Sequence, residues 1–322
     1  MSFKNLNLGG VGKGMLKYFM PIRTDAGDTY SIDKLILDFK LRAHGGGEWA
    51  DDFFLFLQLD MEVYFKHWTT NKIGTFREQF SFQCDDGESF WCGVGLNDGS
   101  GKLKNRVRLE FNPNKVARSY VFVRVFNRLR VLAVGPPRVV RLDLAVDFPV
   151  LRSDAYLLKD ARTYEEYSRS DSDRTQYLGE RNSHGRCKLY NKAQESGLSH
   201  PLTRLEVTIS GTAMGYEDIL AVWPRVLVMD DLQMVFDGEK VTDVDRFIMR
   251  TLIQEPDRIR ELSWYKAKKI RCTMERYTRF LKLDKPVYER IISQLYIYSQ
   301  VLDNDYVLNP FSGIREEVTG FE

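Results

Sequence analysis

The chain has 322 residues, of which 43% are hydrophobic and 29% are charged. This composition excludes a chain that is disordered throughout and is typical of a globular protein with a sizeable core in two or three units. The net charge of +2 does not by itself indicate a nucleic-acid partner. Because the apolar runs are far shorter than the roughly 20 residues of a membrane span and the N-terminus lacks a signal-peptide pattern, we expect a cytoplasmic protein without membrane contact.

The first half of the chain predicts a flexible arm followed by a strand-rich unit. Residues 1–30 are rich in glycine and short polar residues, which is typical of an N-terminal arm. Residues 31–138 predict an α+β subdomain with strands at 31–41, 77–82, 89–96 and 104–111. Apolar residues recur every three or four positions from Val121 to Leu132, which predicts a basic amphipathic helix in the same subdomain.

The second half of the chain changes from strands to helices. Residues 139–215 predict a second strand-rich subdomain, with strands at 139–148, 175–179, 186–191 and 202–209 and a helix at 154–167. Residues 216–322 predict a helical C-terminal region, with helices at 218–226, 242–253, 258–281 and 286–301. Strands first and helices last predict an α+β fold, with an antiparallel-sheet core of two related strand-rich subdomains and a helical C-terminal part.

The C-terminal region has an uneven distribution of charge. Between residues 258 and 290 there are eleven Lys or Arg and four Asp or Glu, a local balance of +7, which is typical of a phosphate-binding surface. The predicted DNA-binding cations are Lys266, Lys268, Lys269, Arg271 and Arg276. Trp264, Tyr265, Tyr277 and Phe280 lie among them, and aromatic residues at helical spacing more often belong to a core than to a base-stacking surface. The alternative for the whole region is a solvated helix face.

The predicted strands separate acidic from apolar residues. Successive side chains of a strand point to opposite faces, so Asp143 and Asp147 share one face of their strand. Glu110 and Glu206 occupy equivalent positions in two other strands. If these strands join one sheet, all four carboxylates line one polar cleft, and their oxygens suit Mg²⁺ or Mn²⁺. Cross-strand ion pairs with neighbouring arginines are the alternative.

A tyrosine also projects into this predicted cleft. Tyr190 and Lys188 are two positions apart and therefore share a face, with further cations at Arg181 and Lys192. A phenol held among ammonium and guanidinium groups is what a nucleophilic attack on a DNA phosphodiester requires. A strand tyrosine that only packs is the alternative.

Four blocks of sequence occur in a fixed order. They are Arg108-Leu-Glu-Phe-Asn-Pro-Asn-Lys115, Arg141-Leu-Asp-Leu-Ala-Val-Asp-Phe148, the segment 177–195 and Arg204-Leu-Glu-Val207. Together they resemble the Rep_trans family, the rolling-circle replication initiators of small Gram-positive plasmids and the related relaxases of integrative elements. The resemblance covers residues 105–210 well and the flanks poorly. The order and spacing of the blocks carry it, since each block alone could occur by chance.

The resemblance implies a site and an activity. It makes Tyr190 the nucleophile. On this basis we expect a 5′-phosphotyrosyl intermediate and a 3′-hydroxyl primer, with Lys188, Arg181 and Lys192 offsetting the phosphate charge. It also implies a divalent metal ion, origin DNA as substrate, a homodimer and a host helicase. One departure is His184, where the family commonly has an acidic residue. A non-catalytic nucleic-acid-binding module, and a relaxase that transfers an integrative element, remain alternatives.

Overall fold

The computed structural model describes residues 21–42, 51–71, 74–97, 99, 103–170, 173–229 and 241–299. The first twenty residues of the predicted N-terminal arm lie outside these ranges, as does the end of the helix predicted at 286–301. Within these ranges, no helix is long and apolar enough to cross a membrane.

The described segments contain both β-strands and α-helices, which are numbered here in chain order. The strands are β1 Ile22–Arg23, β2 Thr29–Lys40, β3 Phe65–Thr70, β4 Phe76–Gln83, β5 Ser89–Asn97, β6 Leu103–Phe111, β7 Arg138–Phe148, β8 Ala155–Leu157, β9 Tyr164–Ser168, β10 Arg174–Leu178, β11 Cys187–Asn191, β12 Thr203–Ser210, β13 Val226–Met229 and β14 Thr278–Phe280. The helices are α1 Asp51–Asp60, α2 Pro113–Val116, α3 Tyr120–Leu132, α4 Lys192–Ser196, α5 Tyr216–Val222, α6 Asp243–Gln254, α7 Trp264–Tyr277 and α8 Lys285–Ser299.

Eleven of these strands form one antiparallel sheet in the order β3-β4-β5-β6-β2-β7-β12-β11-β10-β9, with β1 paired to β2 at its side. The predicted α+β class with an antiparallel sheet is therefore confirmed. The predicted boundary after residue 138 falls at the start of β7. Because β7 pairs with β2 on one side and β12 on the other, strands from both predicted subdomains contribute to the same sheet.

One face of this sheet is apolar and is covered by α3. Phe122 and Phe126 of that helix pack against the sheet, with ring centroids 4.6 Å from Phe111 and 5.9 Å from Phe39, respectively. The predicted helix is confirmed, although valines lower helix propensity. Burial of its apolar face against the sheet stabilises it. The opposite face of the sheet is polar and carries the candidate site.

A second, smaller core lies in the C-terminal region. Strands β14, β13 and β8 form a separate antiparallel sheet. Its side chains, with those of α6 and α7, enclose an apolar cluster that includes Tyr156, Met249 and Ile270. Since β8 precedes residue 215, the predicted catalytic subdomain supplies one strand to this C-terminal core.

One helix prediction was wrong, and two others were right only in part, since the helix predicted at 258–281 is α7, Trp264–Tyr277, and Thr278–Phe280 forms β14. Residues 154–167 form β8 and β9 instead of a helix, because Ala155–Leu157 pairs with β13 and Tyr164–Ser168 pairs with β10. The helix predicted at 218–226 ends at Val222, and Val226 begins β13. Pro224 explains that end, since proline lacks the donor that continues a helix and disfavours helical backbone at the preceding residue.

Candidate active site

The polar face of the sheet brings Tyr190 next to an acidic and a basic residue. In the pairing of β11 with β12, Lys188 lies opposite Glu206 and Tyr190 lies opposite Arg204. Arg204 in turn lies opposite Asp147 of β7. Since directly paired residues point to the same face, the predicted convergence of these side chains on one surface is what the register produces.

A short hydrogen bond joins the nucleophile candidate to a carboxylate. The Tyr190 hydroxyl donates to Oε1 of Glu206 at 2.7 Å, and Oε2 of Glu195 lies 3.2 Å from the same oxygen. Burial and the nearby Glu206 raise the pKa of Tyr190 above its ordinary value. Burial also raises the pKa of Glu206, against the hydrogen bond from Tyr190 and the charges of Lys188 and Arg204. The phenol therefore keeps its proton unless a base removes it, and Glu206 is in place to do so.

Tyr190 is less exposed than its predicted role requires. The sequence predicts an accessible hydroxyl, whereas the residue is only 5% exposed. The physical reason is polar cover, since Tyr190 lies outside both apolar clusters. The Lys188 ammonium lies over its ring at 3.7 Å, and Glu195 of α4 reaches its hydroxyl. Lys188 therefore covers the ring, and Glu195 lies against the hydroxyl.

The predicted phosphate-binding cations differ in their surroundings. Lys192 forms an ion pair with Glu195 across one turn of α4. Arg181 is exposed and lies in the loop between β10 and β11. Among the described residues it makes no ion pair. Lys188 is the predicted cation that directly contacts the Tyr190 ring.

The four predicted metal ligands share the polar face but pair with different cations. Arg141 donates two hydrogen bonds of 2.7 Å to Asp143. Arg204 holds Asp147 in the same two-pronged way, and Lys34 pairs with Glu110. Glu206 accepts from Tyr190.

This arrangement does not fit a hard divalent cation, which needs several converging oxygens. Within the described ranges, no three Asp, Glu, His or Cys side chains are grouped so that they could hold a metal ion. Binding at Asp143 would require Arg141 to release that carboxylate. Three of the four acids are ion-paired, but only Asp147 has the expected cross-strand arginine, since Arg141 lies on the same strand as Asp143 and Glu110 pairs with a lysine.

Sequence reasoning missed the roles of two arginines, one within the site and one on the opposite face of the sheet. Arg204 binds Asp147 and also Asp33, at 2.9 Å, and thereby links β12 to β7 and β2. Strand alternation predicts that Arg204 lies on the polar face, but not that it lies opposite Tyr190. Arg152 is 2% exposed and donates to the backbone oxygens of Arg174 and Ala155 and to the Gln176 side chain. No pattern in the sequence indicated that role.

Position 184 has a structural contact. Nδ1 of His184 accepts a hydrogen bond of 3.2 Å from the backbone N–H of Ser210. The side chain therefore fastens the loop before β11 to the end of β12.

The four cysteines differ in exposure. Cys84, Cys92 and Cys187 are buried, whereas Cys272 is exposed.

The predicted DNA-binding cations of α7 fall into two groups. Lys266 and Lys269 form ion pairs with the buried carboxylate of Asp245 in α6, so they fasten α7 to α6, a packing role that the sequence did not reveal. Lys268 lies 5.3 Å from the centre of the Trp264 ring, and Arg276 lies 5.2 Å from that of Tyr277. Arg271 is exposed.

The expectation that the aromatic residues of this region belong to a core was wrong for three of them, including Phe280, which is 41% exposed. Trp264 and Tyr265 are 76% and 75% exposed, respectively. Tyr277, by contrast, is 1% exposed and belongs to the smaller core. The start of α7 therefore presents aromatic and basic side chains together at the surface.

Comparison with known proteins supports the resemblance to replication initiators. Replication initiation proteins of Staphylococcus aureus are 30% identical to this chain over 123 residues in one case and 122 in another, a match that covers 35% of this chain. Over this stretch the chain is similar to these replication initiation proteins. The predicted resemblance is thus confirmed, although the match spans only 38% of the length of these S. aureus relatives.

Two further comparisons add less. A solved rolling-circle replication initiator from Geobacillus stearothermophilus aligns with 86% of this chain and 99% of its own, at 14% identity and a TM-score of 0.36. We draw nothing about function from a likeness of this size. No family model matches the chain.

Proposed function

We propose that this protein initiates rolling-circle replication by cutting one strand of origin DNA with Tyr190 as the nucleophile. The observation that carries the proposal is the 2.7 Å hydrogen bond from the Tyr190 hydroxyl to Glu206 on a cation-lined sheet face. A nucleophile within hydrogen-bond reach of a base is the arrangement that covalent catalysis needs. The relatives named as replication initiation proteins support origin DNA as the substrate.

The proposed reaction balances without a nucleotide cofactor. The Tyr190 oxygen attacks phosphorus, and its proton passes to the Glu206 carboxylate. The bond from phosphorus to the 3′ oxygen breaks, and that oxygen takes a proton from solvent to become the 3′-hydroxyl primer. Since the 5′-phosphotyrosyl ester retains the bond energy, the reverse attack can religate the strand.

Nearby cations would offset the charge on the phosphoryl oxygens. Lys188 and Arg204 flank Tyr190 in the sheet, and Lys192 follows β11 in the first turn of α4. Arg181 lies in the loop that precedes β11. Preorganised positive charge of this kind commonly contributes about 3 kcal/mol per group to transition-state stabilisation.

DNA binding must also uncover the hydroxyl. Glu195 contacts the Tyr190 hydroxyl and pairs with Lys192. A phosphate entering this space repels the Glu195 carboxylate and competes for Lys192. We propose that the phosphate replaces Glu195 beside Tyr190, so that substrate itself opens the site.

The decisive test is a covalent adduct. The protein is incubated with supercoiled plasmid carrying the DNA around its own gene, and with labelled single strands of that region, in Mg²⁺ or Mn²⁺ and in chelator. We expect nicked plasmid and a labelled protein band that survives boiling in detergent, both lost in Tyr190→Phe. Tyr120→Phe, which removes a hydroxyl from the surface of α3, is the matched control and retains both.

A non-catalytic DNA-binding module is the second candidate. The burial of Tyr190 and the direction of its pKa shift favour this reading, because both oppose an ionised, accessible phenol. It predicts that wild type and Tyr190→Phe bind the same single strands equally and that neither forms an adduct. That result, with intact folding, would refute the nicking proposal.

Several implications of the resemblance stay predictions. These are the use of Mg²⁺ or Mn²⁺, a homodimer, a host helicase partner and a cytoplasmic location. Transfer of an integrative element would use the same cut, so a relaxase role remains the alternative within the enzyme class. Nicking that persists in chelator would remove the metal ion from the mechanism.

The C-terminal region is proposed to bind duplex DNA. Lys268 and Arg271 of α7 lie on the same helix as the exposed Trp264 and Tyr265. Cations of this kind neutralise DNA phosphates. Lys266, Lys269 and Arg276 keep their predicted contribution, with the first two also fixing α7 to α6.

A further inference from the structure

A cavity of about 590 Å³ opens on the polar face beside Glu206. Its lining includes Tyr167, Tyr177, Arg181, Asn182 and Arg186. None of these residues takes part in the proposed chemistry except Arg181. The cavity and the Tyr190 hydroxyl share Glu206, so an occupant would lie next to the reacting phosphate.

The wall of the cavity is aromatic. The rings of Tyr167 and Tyr177 meet edge to face, with centroids 6.0 Å apart and an interplanar angle of 82°. The Arg186 guanidinium lies 4.9 Å from the Tyr177 ring centre on β10. Tyr167 is 63% exposed, so it is accessible to a ligand in the cavity.

The position of Tyr177 connects this wall to the nucleophile. Across the sheet, Tyr177 pairs with Lys188, and Lys188 pairs with Glu206. Paired residues on one face lie about 5 Å apart. The aromatic wall is therefore two strands, or about 10 Å, from Glu206, the proposed acceptor of the Tyr190 proton.

A tight loop forms the rim of the cavity. Gly179, Asn182 and Gly185 have positive φ angles of 86°, 64° and 77°. Asn182 is held in this conformation, which is costly for a residue other than glycine, by a 3.0 Å hydrogen bond from Arg141. Neighbouring Arg181 is thereby presented at the rim with its charge free of any ion pair in the described part of the chain.

The mixed charge of the lining decides which ligand fits. Three carboxylates, Asp143, Glu165 and Glu206, line the cavity together with Arg141, Arg181, Arg186 and Lys188, so a ligand inside meets acidic as well as basic groups. A nucleobase is neutral, stacks on aromatic rings and offers hydrogen-bond donors to carboxylates. Its attached phosphate remains outside, where Arg181 lies.

We propose that this cavity binds one nucleobase of single-stranded DNA adjacent to the scissile phosphate, with Tyr177 as the stacking surface and Arg181 on the backbone. The proposal rests on the proposed function for its position relative to the cut. Through this contact the cavity fixes the register of the strand, because a base held there places the neighbouring phosphodiester at Tyr190.

The test uses the full chain with Tyr190→Phe, which separates binding from chemistry. Labelled single strands spanning the cut mapped with the wild-type protein carry one abasic site at each position in turn, and binding is measured by fluorescence anisotropy. We expect one abasic position near the cut to weaken binding about tenfold, the effect of losing a base stacked on an aromatic ring. Tyr177→Ala should weaken binding of the intact strand by a similar factor.

The coupling between the two changes is the decisive readout. If base and ring contact each other, the abasic site and Tyr177→Ala together weaken binding no more than either alone. The proposal is overturned if, at every abasic position, the factor by which the two changes together weaken binding equals the product of their separate factors. Tyr177→Phe keeps the ring and should restore binding, which excludes misfolding as the cause of the alanine result. Tyr120→Ala, an exposed tyrosine beside Arg124 on α3, is the matched control and shows no coupling.

Failure of this proposal can be distinguished from failure of the proposed function. An adduct in the wild type without coupling at any position leaves the nicking activity intact and removes the base site. If no adduct forms, the coupling is measured on any single strand that binds. Coupling in that case supports the base site and refutes the nicking activity.

Discussion

The ammonium group of Lys188 lies 3.7 Å from the centre of the Tyr190 ring, and the two residues are separated by one position in β11. A cation over a phenol ring is attracted by the π-electrons of the ring, so this contact favours the conformation in which Lys188 covers Tyr190. The same ammonium lies opposite Glu206 in the sheet. Lys188 therefore covers the nucleophile in the free protein and supplies positive charge where a phosphate would bind.

Replacing Lys188 with Gln should reduce adduct formation by about 100-fold, because one electrostatic stabiliser of the transition state is lost. The rate is measured under single-turnover conditions at saturating DNA. Lys159→Gln is the matched control, since Lys159 lies 4.5 Å from the Tyr164 ring centre in the same cation-over-ring geometry away from the site. Equal rates for the Lys188→Gln protein and wild type would show that its charge does not act on the reaction.

The rate of adduct formation should rise with pH because Glu206 must be deprotonated to accept the Tyr190 proton. Burial raises the pKa of Glu206, so the rate is lost as pH falls through an apparent pKa above the ordinary value of about 4.3. Glu206→Gln should be slow and should lack this inflection. A wild-type profile that persists unchanged in Glu206→Gln would assign the base to another group.

Removing the cover from Tyr190 should speed the reaction. Glu195→Ala frees the hydroxyl from its second carboxylate contact and releases Lys192 from its ion pair. We expect a several-fold faster adduct formation at low DNA concentration, where displacement of the carboxylate by phosphate limits the rate, and little change at saturation. A slower reaction at both concentrations would instead make Glu195 part of the chemistry.

Asp245 should stabilise the packing of α7 on α6. Burial raises the pKa of Asp245, but hydrogen bonds from Lys266, Lys269 and Thr242 outweigh this effect and lower it to about 2. A depressed carboxylate pKa contributes stability above the unfolded value of about 3.9, and that contribution is lost as pH falls from about 4 to about 2.

Asp245→Asn should lower the free energy of unfolding of this region by about 2 kcal/mol at neutral pH. It should also reduce the change of this free energy as pH falls from about 4 to about 2. Hydrogen exchange of the α6 and α7 amides measures both. Asp243→Asn, at an exposed position in the first turn of the same helix, is the matched control and changes the free energy by a few tenths of a kcal/mol. Equal protection in the two variants would contradict a stabilising role.

The double change Lys268→Gln and Arg271→Gln should weaken binding to duplex origin DNA and make it less dependent on salt. If both cations neutralise phosphates, the slope of log K against log salt becomes shallower by about 2. Nitrocellulose filter binding across salt concentrations gives the slope. Single-strand binding at the sheet should be unaffected, and an unchanged duplex slope would place the DNA elsewhere.

Alternation along individual strands determined a large part of the candidate site. Side chains of a strand point to opposite faces in turn, so Lys188 and Tyr190 had to share a face, as did Glu206 and Arg204. The same periodicity separated Leu205 and its apolar neighbours into the core. The helix at α3 followed in the same way from apolar residues every three or four positions.

Only the tertiary structure decided which of these faces meet and in what register. The pairing of β11 with β12 sets Lys188 opposite Glu206, and long-range pairing turned residues 155–157 into a strand. The cover over Tyr190 and the bond from Lys266 to Asp245 also lay beyond the sequence. Strand periodicity is a local property of the backbone, whereas burial, ion pairing and pKa depend on groups that are distant in the chain.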